Sequence, residues 1–369
     1  MSDRKRSISK NLSFLLVASV IGFSVATPVS PAYSAQEACP FPVDEVVVED
    51  PAPLWVWCAK AFTGVDVMWL PLMALLATEN LITNELTLGT VSPDRVLTGH
   101  SVGADLEALR PTGTHGQYQT GYLYRGGFEH TRASGDQFIG QFDPGAGYGL
   151  GVPGSLGGPS GAFLPAHPQN IVENMRYNGN LGWSAGFFNV ERRYEADDHA
   201  FGFFAGKMFS GLELDESVTA DIPGFLSTFS YDTEIETRAY GSHVGARGRR
   251  DIFQPIKGTW QTQISGRSEV GVAYIDSTLR DHTTFTGFIS GAVPNSQIVV
   301  EDSGWGAYGS VGGALSLTNK NNKAQFFVDA QYEWRPWFGS AYRDGTNPTR
   351  FQRSHAEVFS ARIGVRAQF

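Results

Sequence analysis

The chain ends in Phe359-Ser360-Ala361-Arg362-Ile363-Gly364-Val365-Arg366-Ala367-Gln368-Phe369. Phe359, Ala361, Ile363, Val365, Ala367 and Phe369 share one parity, while Ser360, Arg362, Gly364, Arg366 and Gln368 share the other. Successive side chains of a strand point to opposite faces, so this stretch reads as a ribbon with one greasy side. Its other side carries two guanidinium groups and an amide.

The same dyad recurs upstream. Phe326, Val328, Ala330, Tyr332 and Trp334 alternate with a set that includes Asp329, Glu333 and Arg335. Trp305, Ala307, Val311, Leu315 and Leu317 keep one parity, as do Trp260, Thr262, Ile264, Val270, Val272 and Tyr274, whose neighbours include Gln261, Gln263, Arg267 and Glu269. Shorter runs are Leu181-Trp183-Ala185-Phe187 and Tyr118-Thr120-Tyr122-Tyr124, which read as apolar faces of the same kind. Phe204, Met208 and His243 fall off parity. A soluble sandwich also alternates. These runs, however, reach roughly 10–15 residues against a usual mode of 5–6, and a tilted strand needs about 9–11 to cross a bilayer. Trp and Tyr near the run ends suit interfacial girdles.

Strands placed at 102–110, 117–128, 134–142, 180–194, 199–214, 231–248, 257–276, 303–318, 324–337 and 355–369 number ten. Short polar links at 195–198, 249–256 and 319–322 alternate with long ones at 143–179, 215–230, 277–302 and 338–354. The fold class expected is therefore all-β: a closed antiparallel transmembrane β-barrel of about ten strands (8–12), with short periplasmic turns and long outer loops. The link at 111–116 breaks the pattern, being short where parity asks for an outer loop.

Forty-three glycines, 12% aromatic and 18% charged residues argue against disorder, and the glycines lack a collagen period. A net charge of −9 argues against nucleic acid as partner. Arg4, Lys5, Arg6 and Lys10 precede an apolar run from Leu12 to Ala26 and then small residues, the layout of a signal peptide over 1–35, cleaved between residues 32 and 35. Gln36-Glu37-Ala38 before Cys39 does not suit a lipid anchor. Later apolar runs are too short for a spanning helix. Residues 36–100 are assigned to an N-terminal periplasmic or plug-like segment and 101–369 to the barrel. In the former, Cys39 and Cys58 are the only cysteines, and in an exported chain they are expected to form a disulfide. Pro71 with Leu72, Leu75, Leu76 and Leu81 suggests a short helix, and 64–69 a further strand that could pair with 85–91.

The signal peptide, repeated dyads and terminal Phe369 together resemble bacterial outer-membrane β-barrel proteins. The resemblance covers residues from about 100 to the end. It implies residence in the outer membrane, contact with its lipid, and delivery by the barrel-assembly machinery through a terminal signal matched here by Phe359, Ile363, Val365 and Phe369. Gly103-Ala104-Asp105-Leu106, Leu109-Arg110-Pro111 and Gly186-Phe187-Phe188 loosely resemble a narrow porin-like, pore-forming subgroup, which would make small solutes the cargo.

The lumenal charges expected are Arg267, Glu269, Asp329, Glu333, Arg335, Arg362 and Arg366. Ten strands stand near the filled end of barrel sizes, so mutual pairing competes with a selective pore. The glycines between 145 and 161 have neither dinucleotide nor P-loop spacing, and read as an outer loop, or one folded inward as a constriction. The eight histidines (100, 115, 130, 167, 199, 243, 282 and 355) show no metal-ligand spacing. His199 beside Asp197 and Asp198, and His355 near Asp344, are carboxylate–imidazole neighbours without a nucleophile motif. No catalysis, cofactor or metal is expected. The function expected is a narrow-channel or structural outer-membrane protein; a barrel hydrolase with a rim site and a secreted β-sandwich adhesin are the alternatives.

Overall fold

The computed structural model describes residues 55–71, 76–80, 86–91, 95–143, 148–151, 171–256, 260–287, 296–319, 323–342 and 350–369. The signal peptide, Cys39, Asp344, His167 and most of the glycine-rich 145–161 stretch lie outside them.

Ten long strands close a ring in the order β1 (Val56–Trp69), β13 (Arg350–Gln368), β12 (Ala324–Tyr342), β11 (Ser296–Asn319), β10 (Trp260–Gly287), β9 (Ser227–Ile256), β8 (His199–Ile222), β7 (Val172–Glu195), β5 (Tyr118–Phe142) and β4 (Val96–His115). Every neighbouring pair is antiparallel. The barrel is closed by β1, whose Trp57 carbonyl accepts from the Phe369 amide at 3.0 Å. A small second sheet joins β2 (Leu76–Asn80), β3 (Leu86–Val91) and β6 (Tyr148–Gly151), all from links at the far end from Phe369.

The register fixes the bore. Stepping from Trp305 through Tyr274, Tyr240, Phe209, Gly186, Phe128, Ala104, Ala61, Val365 and Phe326 returns to β11 at Leu317, twelve residues below the start. A shear of twelve over ten strands tilts them by about 40°, given ~3.3 Å per residue and ~4.8 Å between strands. Twelve residues along such a strand rise by about 30 Å.

That rise matches the spacing of two rings of exterior aromatics. Trp57, Tyr122 and Trp260 lie toward the Phe369 end, while Trp69, Tyr240, Tyr274 and Trp305 form the upper ring. Between the rings most outward residues are apolar and exposed, among them Val65, Leu315, Val328, Ile363 and Val365, with His100, His130, Arg132 and Lys207 as polar exceptions on β4, β5 and β8. Above the upper ring the polarity inverts while the alternation continues. On β8 the outward side carries Glu213, Asp215, Ser217 and Asp221, and the inward side Leu214, Val218 and Ile222. β9 and β10 do the same: Asp232, Glu234, Thr278 and Arg280 point out, and Phe229, Tyr231, Ile235, Leu279 and Phe285 point in. The inward set is one continuous buried core. Strands β5 to β11 thus build a collar that continues beyond the belt with a water-facing exterior.

Several expectations need correction. The barrel begins at Val56, not at residue 101, because 56–69 pairs with both β4 and β13. The segments 117–128 and 134–142 are one strand, β5, so the count of ten stands on a different set of strands. With β1 in place, the anomalous short link becomes a lower turn at Gly116, whose φ of 62° favours glycine. Residues 76–80 are strand rather than helix, and 86–91 pair with them instead of with β1. The links at 215–230 and 277–302 are mostly collar strand, the former turning tightly at Pro223–Phe225. Leu181, Trp183, Ala185 and Phe187 face inward, the reverse of the expected apolar exterior.

If the collar is an independent packed core, Leu214→Ala should destabilise the protein by about 2–5 kcal/mol, as for other buried leucines. Ser217→Ala, on the opposite face, should stay within about 0.5 kcal/mol. Denaturant titration of both variants checks this, and equal losses would contradict the inverted polarity.

Candidate functional site

Charged side chains entering the ten-stranded bore must be solvated by one another. Among the described residues, the inward cations Lys60, Arg125, Arg193, Arg247, Arg249, Arg267, Arg335, Arg362 and Arg366 each have a carboxylate within 3.7 Å. Arg267, Glu269, Asp329, Glu333, Arg335, Arg362 and Arg366 all point into the lumen. The terminal Phe359, Ile363, Val365 and Phe369 all lie on the exposed exterior. Cys58 is buried on the inward side of β1.

Several of these pairs reach over an intervening strand, and a few cross the bore. Near the Phe369 end, Glu107 of β4 accepts from Arg366 of β13 at 2.7 Å and lies 3.5 Å from Arg125 of β5 and from Arg247 of β9. Arg247 also binds Glu191 of β7, and Arg125 binds Asp105. Higher up, Arg362 of β13 donates to Glu129 of β5 at 2.6 Å and to Gln331 at 2.9 Å. Arg335 of β12 lies 3.6 Å from the ring centre of Trp183 on β7, the opposite wall. The Arg125 guanidinium stands 4.9 Å over Phe187. Guanidinium groups held out of water stack well on aromatic faces, which is the physical reason the Trp183–Phe187 row turns inward.

His243 is buried between Asn189 Oδ1 at 2.6 Å and the Tyr308 hydroxyl at 3.0 Å. Around this level remains a cavity of about 90 Å³ bounded by Trp183, His243, Arg267, Glu333 and Arg335, among others. That is room for a few waters. Above it, the collar is tied by Arg95, which donates to Glu216 at 2.6 Å and to the Pro71 carbonyl at 2.7 Å. Tyr177 donates to the same carboxylate at 2.6 Å. Burial, reinforced by Glu216, pushes the Tyr177 phenol well up, so it remains a donor.

Of the other residues singled out in the sequence, His199 sits at a lower turn, its Nδ1 2.6 Å from Asp198 Oδ1 and its Nε2 3.3 Å from the Tyr118 hydroxyl. That hydrogen bond holds the Asp198 carboxyl below its usual range. His355 is exposed on the exterior. Sequence reasoning missed Lys60, Asp105, Glu107, Arg125, Glu129, Glu191 and Arg247. The signal that could have found them is period-two charge: Asp105 and Glu107, Glu191 with Arg193 and Glu195, and Arg247 with Arg249.

No protein-family model matches the chain, and no curated protein matches it. Among solved structures it is similar to the outer membrane protease OmpT from Escherichia coli, at 10% identity and TM-score 0.39, covering 87% of this chain and 99% of that one. The translocator domain of the autotransporter NalP from Neisseria meningitidis gives 12% identity and TM-score 0.32, covering 86% and 89%. A major outer membrane protein from Thermus thermophilus gives 10% and 0.23, covering 84% and 99%. At such identities and scores these likenesses say nothing about activity, and the barrel stands on its own hydrogen bonds.

Glu107 is the hub of the lower layer, so Glu107→Ala leaves three guanidinium groups short of an anion. Breaking a buried pair from one side costs about 3–5 kcal/mol. Folding titrations should show a loss of that size, partly recovered in Glu107→Leu combined with Arg366→Leu. An unchanged single variant would mean the layer contributes little.

Proposed function

We propose that the protein is an integral outer-membrane β-barrel whose bore is filled and ion-paired, acting as a structural or narrow-channel element without covalent chemistry. The membrane reading is supported by the apolar belt, about 30 Å tall between aromatic rings, which is the thickness of a bilayer's hydrocarbon core. The signal-peptide layout of residues 1–35 and the exposed terminal strand ending in Phe369 favour export and barrel assembly. Outer-membrane lipid and the assembly machinery are then its first partners.

The single observation that carries the sealed interior is the contact of Arg335 with Trp183 across the full bore. Below it the Glu107 hub and above it the apolar collar close the same path. With cations matched by carboxylates, the lumen offers no field of one sign to select a solute. Small solutes would need rearrangement of the Arg335 layer.

Two experiments test this. In planar bilayers the wild-type protein should show no sustained single-channel steps, and Arg335→Ala with Trp183→Ala should stay closed as well because the Glu107 layer and the collar remain; steady wild-type conductance would overturn the sealed bore. Val365→Arg places a guanidinium in the belt and should cost about 2–4 kcal/mol on folding into vesicles. A neutral effect would count against the lipid-facing assignment.

A further inference from the structure

The belt is not uniform around the barrel. On β11, β12, β13 and β1 it is mainly apolar, with Leu315, Phe326, Val328, Phe359, Ile363 and Val65 exposed. On β5, β7 and β8 the outward residues mix exposed rings (Phe128, Phe188, Phe209) with His130, Gly182, Ser184, Lys207 and Gly211. A Cβ added at Gly182 or Gly211 would meet nothing within 4 Å, so these glycines leave the face low and open. Lys207 is exposed on this face and donates to the Ser242 hydroxyl at 2.8 Å, which holds it sideways.

Depth makes this unusual. With the twelve-residue shear spread over ten strands, Lys207 lies about 14 Å below the level of Trp305, near the middle of the ~30 Å belt. That is the depth at which a lipid-facing ammonium is most costly. His130 lies about 10 Å below the same level. Its Nδ1 is 2.9 Å from the Ser184 hydroxyl, and its Nε2 has no hydrogen bond among the described residues. When Nδ1 carries the proton, Nε2 is an acceptor. A donor and an acceptor thus stand at nearly one depth, on the strands flanking β7.

We propose that this face is the interface with a second copy of the chain, related by a twofold axis that runs along the membrane normal over β7. Such an axis preserves depth and exchanges the two sides of β7, bringing Lys207 of each copy toward His130 of the other. Gly182 and Ser184 leave the upper part of this strip low, as small residues do in membrane interfaces, while the exposed Phe128, Phe188 and Phe209, the last covering Gly186, supply its apolar contact. The second copy thereby supplies an acceptor for the ammonium, which hydrocarbon cannot. The proposal rests on the membrane reading above.

The test uses energy transfer between donor- and acceptor-labelled full-length protein in phosphatidylcholine vesicles, diluted progressively with lipid. Wild-type transfer should persist on dilution beyond the level of random encounters. Gly182→Trp, which fills the axis, and Lys207→Leu, which removes the donor, should each weaken association at least tenfold while the heat-modifiable gel mobility of a folded barrel is retained. Val328→Trp, on the opposite face, should leave association unchanged. Inserted wild-type monomers, or dimers indifferent to both Lys207→Leu and Gly182→Trp, would overturn the interface alone. Protein that stays in the aqueous phase would overturn the membrane reading itself.

Discussion

Closure of the ring is the constraint from which the other features follow. An open sheet edge would leave a row of backbone groups unpaired; β1 meets β13 and closes it, and the Phe369 amide ends on the Trp57 carbonyl. Ten strands with a shear of twelve enclose a bore narrow enough for side chains from opposite walls to meet. Polar residues sent inward then have one another for solvent. This accounts for the Glu107 hub, the Arg362–Glu129 pair and the Arg335–Trp183 contact together. Their geometry is a consequence of bore width.

The exterior obeys a second rule, set by what surrounds it at each height. Between the aromatic rings it is mainly apolar, with Lys207 and His130 as exceptions; beyond the upper ring the same strands continue with charged residues outside and a hydrophobic core within. The collar behaves as a soluble barrel grown on the end of a membrane-type one. Arg95, Glu216 and Tyr177 form a polar tie inside that core, which also buries Asp281 and Thr283.

Much of this is legible in the sequence, and the failures share a cause. β13, β12 and β10 are readable because their lipid-type face is apolar along the whole belt. Period-two alternation marks a strand but not which side faces in. The Trp183–Phe187 row therefore reads as exterior, although its rings receive guanidinium faces from Arg335 and Arg125. The collar segments look like loops because their phase flips near Phe209 and Tyr240, so that runs such as Glu213 to Asp221 read as polar linkers. β1 is hard to read because Lys60 and Asp66 interrupt a short apolar run, yet both point into the bore. Across Glu129 to Ser134 both faces of β5 turn polar, which splits one strand into two. The bridging partners in the lumen depend on which strands stand opposite, information that no single strand carries.

The central claim is that one continuous strand passes from hydrocarbon into water as it crosses the upper aromatic ring. The most direct measurement is a nitroxide scan of the even positions of β10 from 262 to 286 in vesicles, reading collision with oxygen against collision with a water-soluble nickel chelate. The account predicts oxygen dominance through Val270 and Val272, a crossover at Tyr274, and chelate dominance from Asp276 onward. A profile without a crossover, or chelate access at Val270, would contradict it.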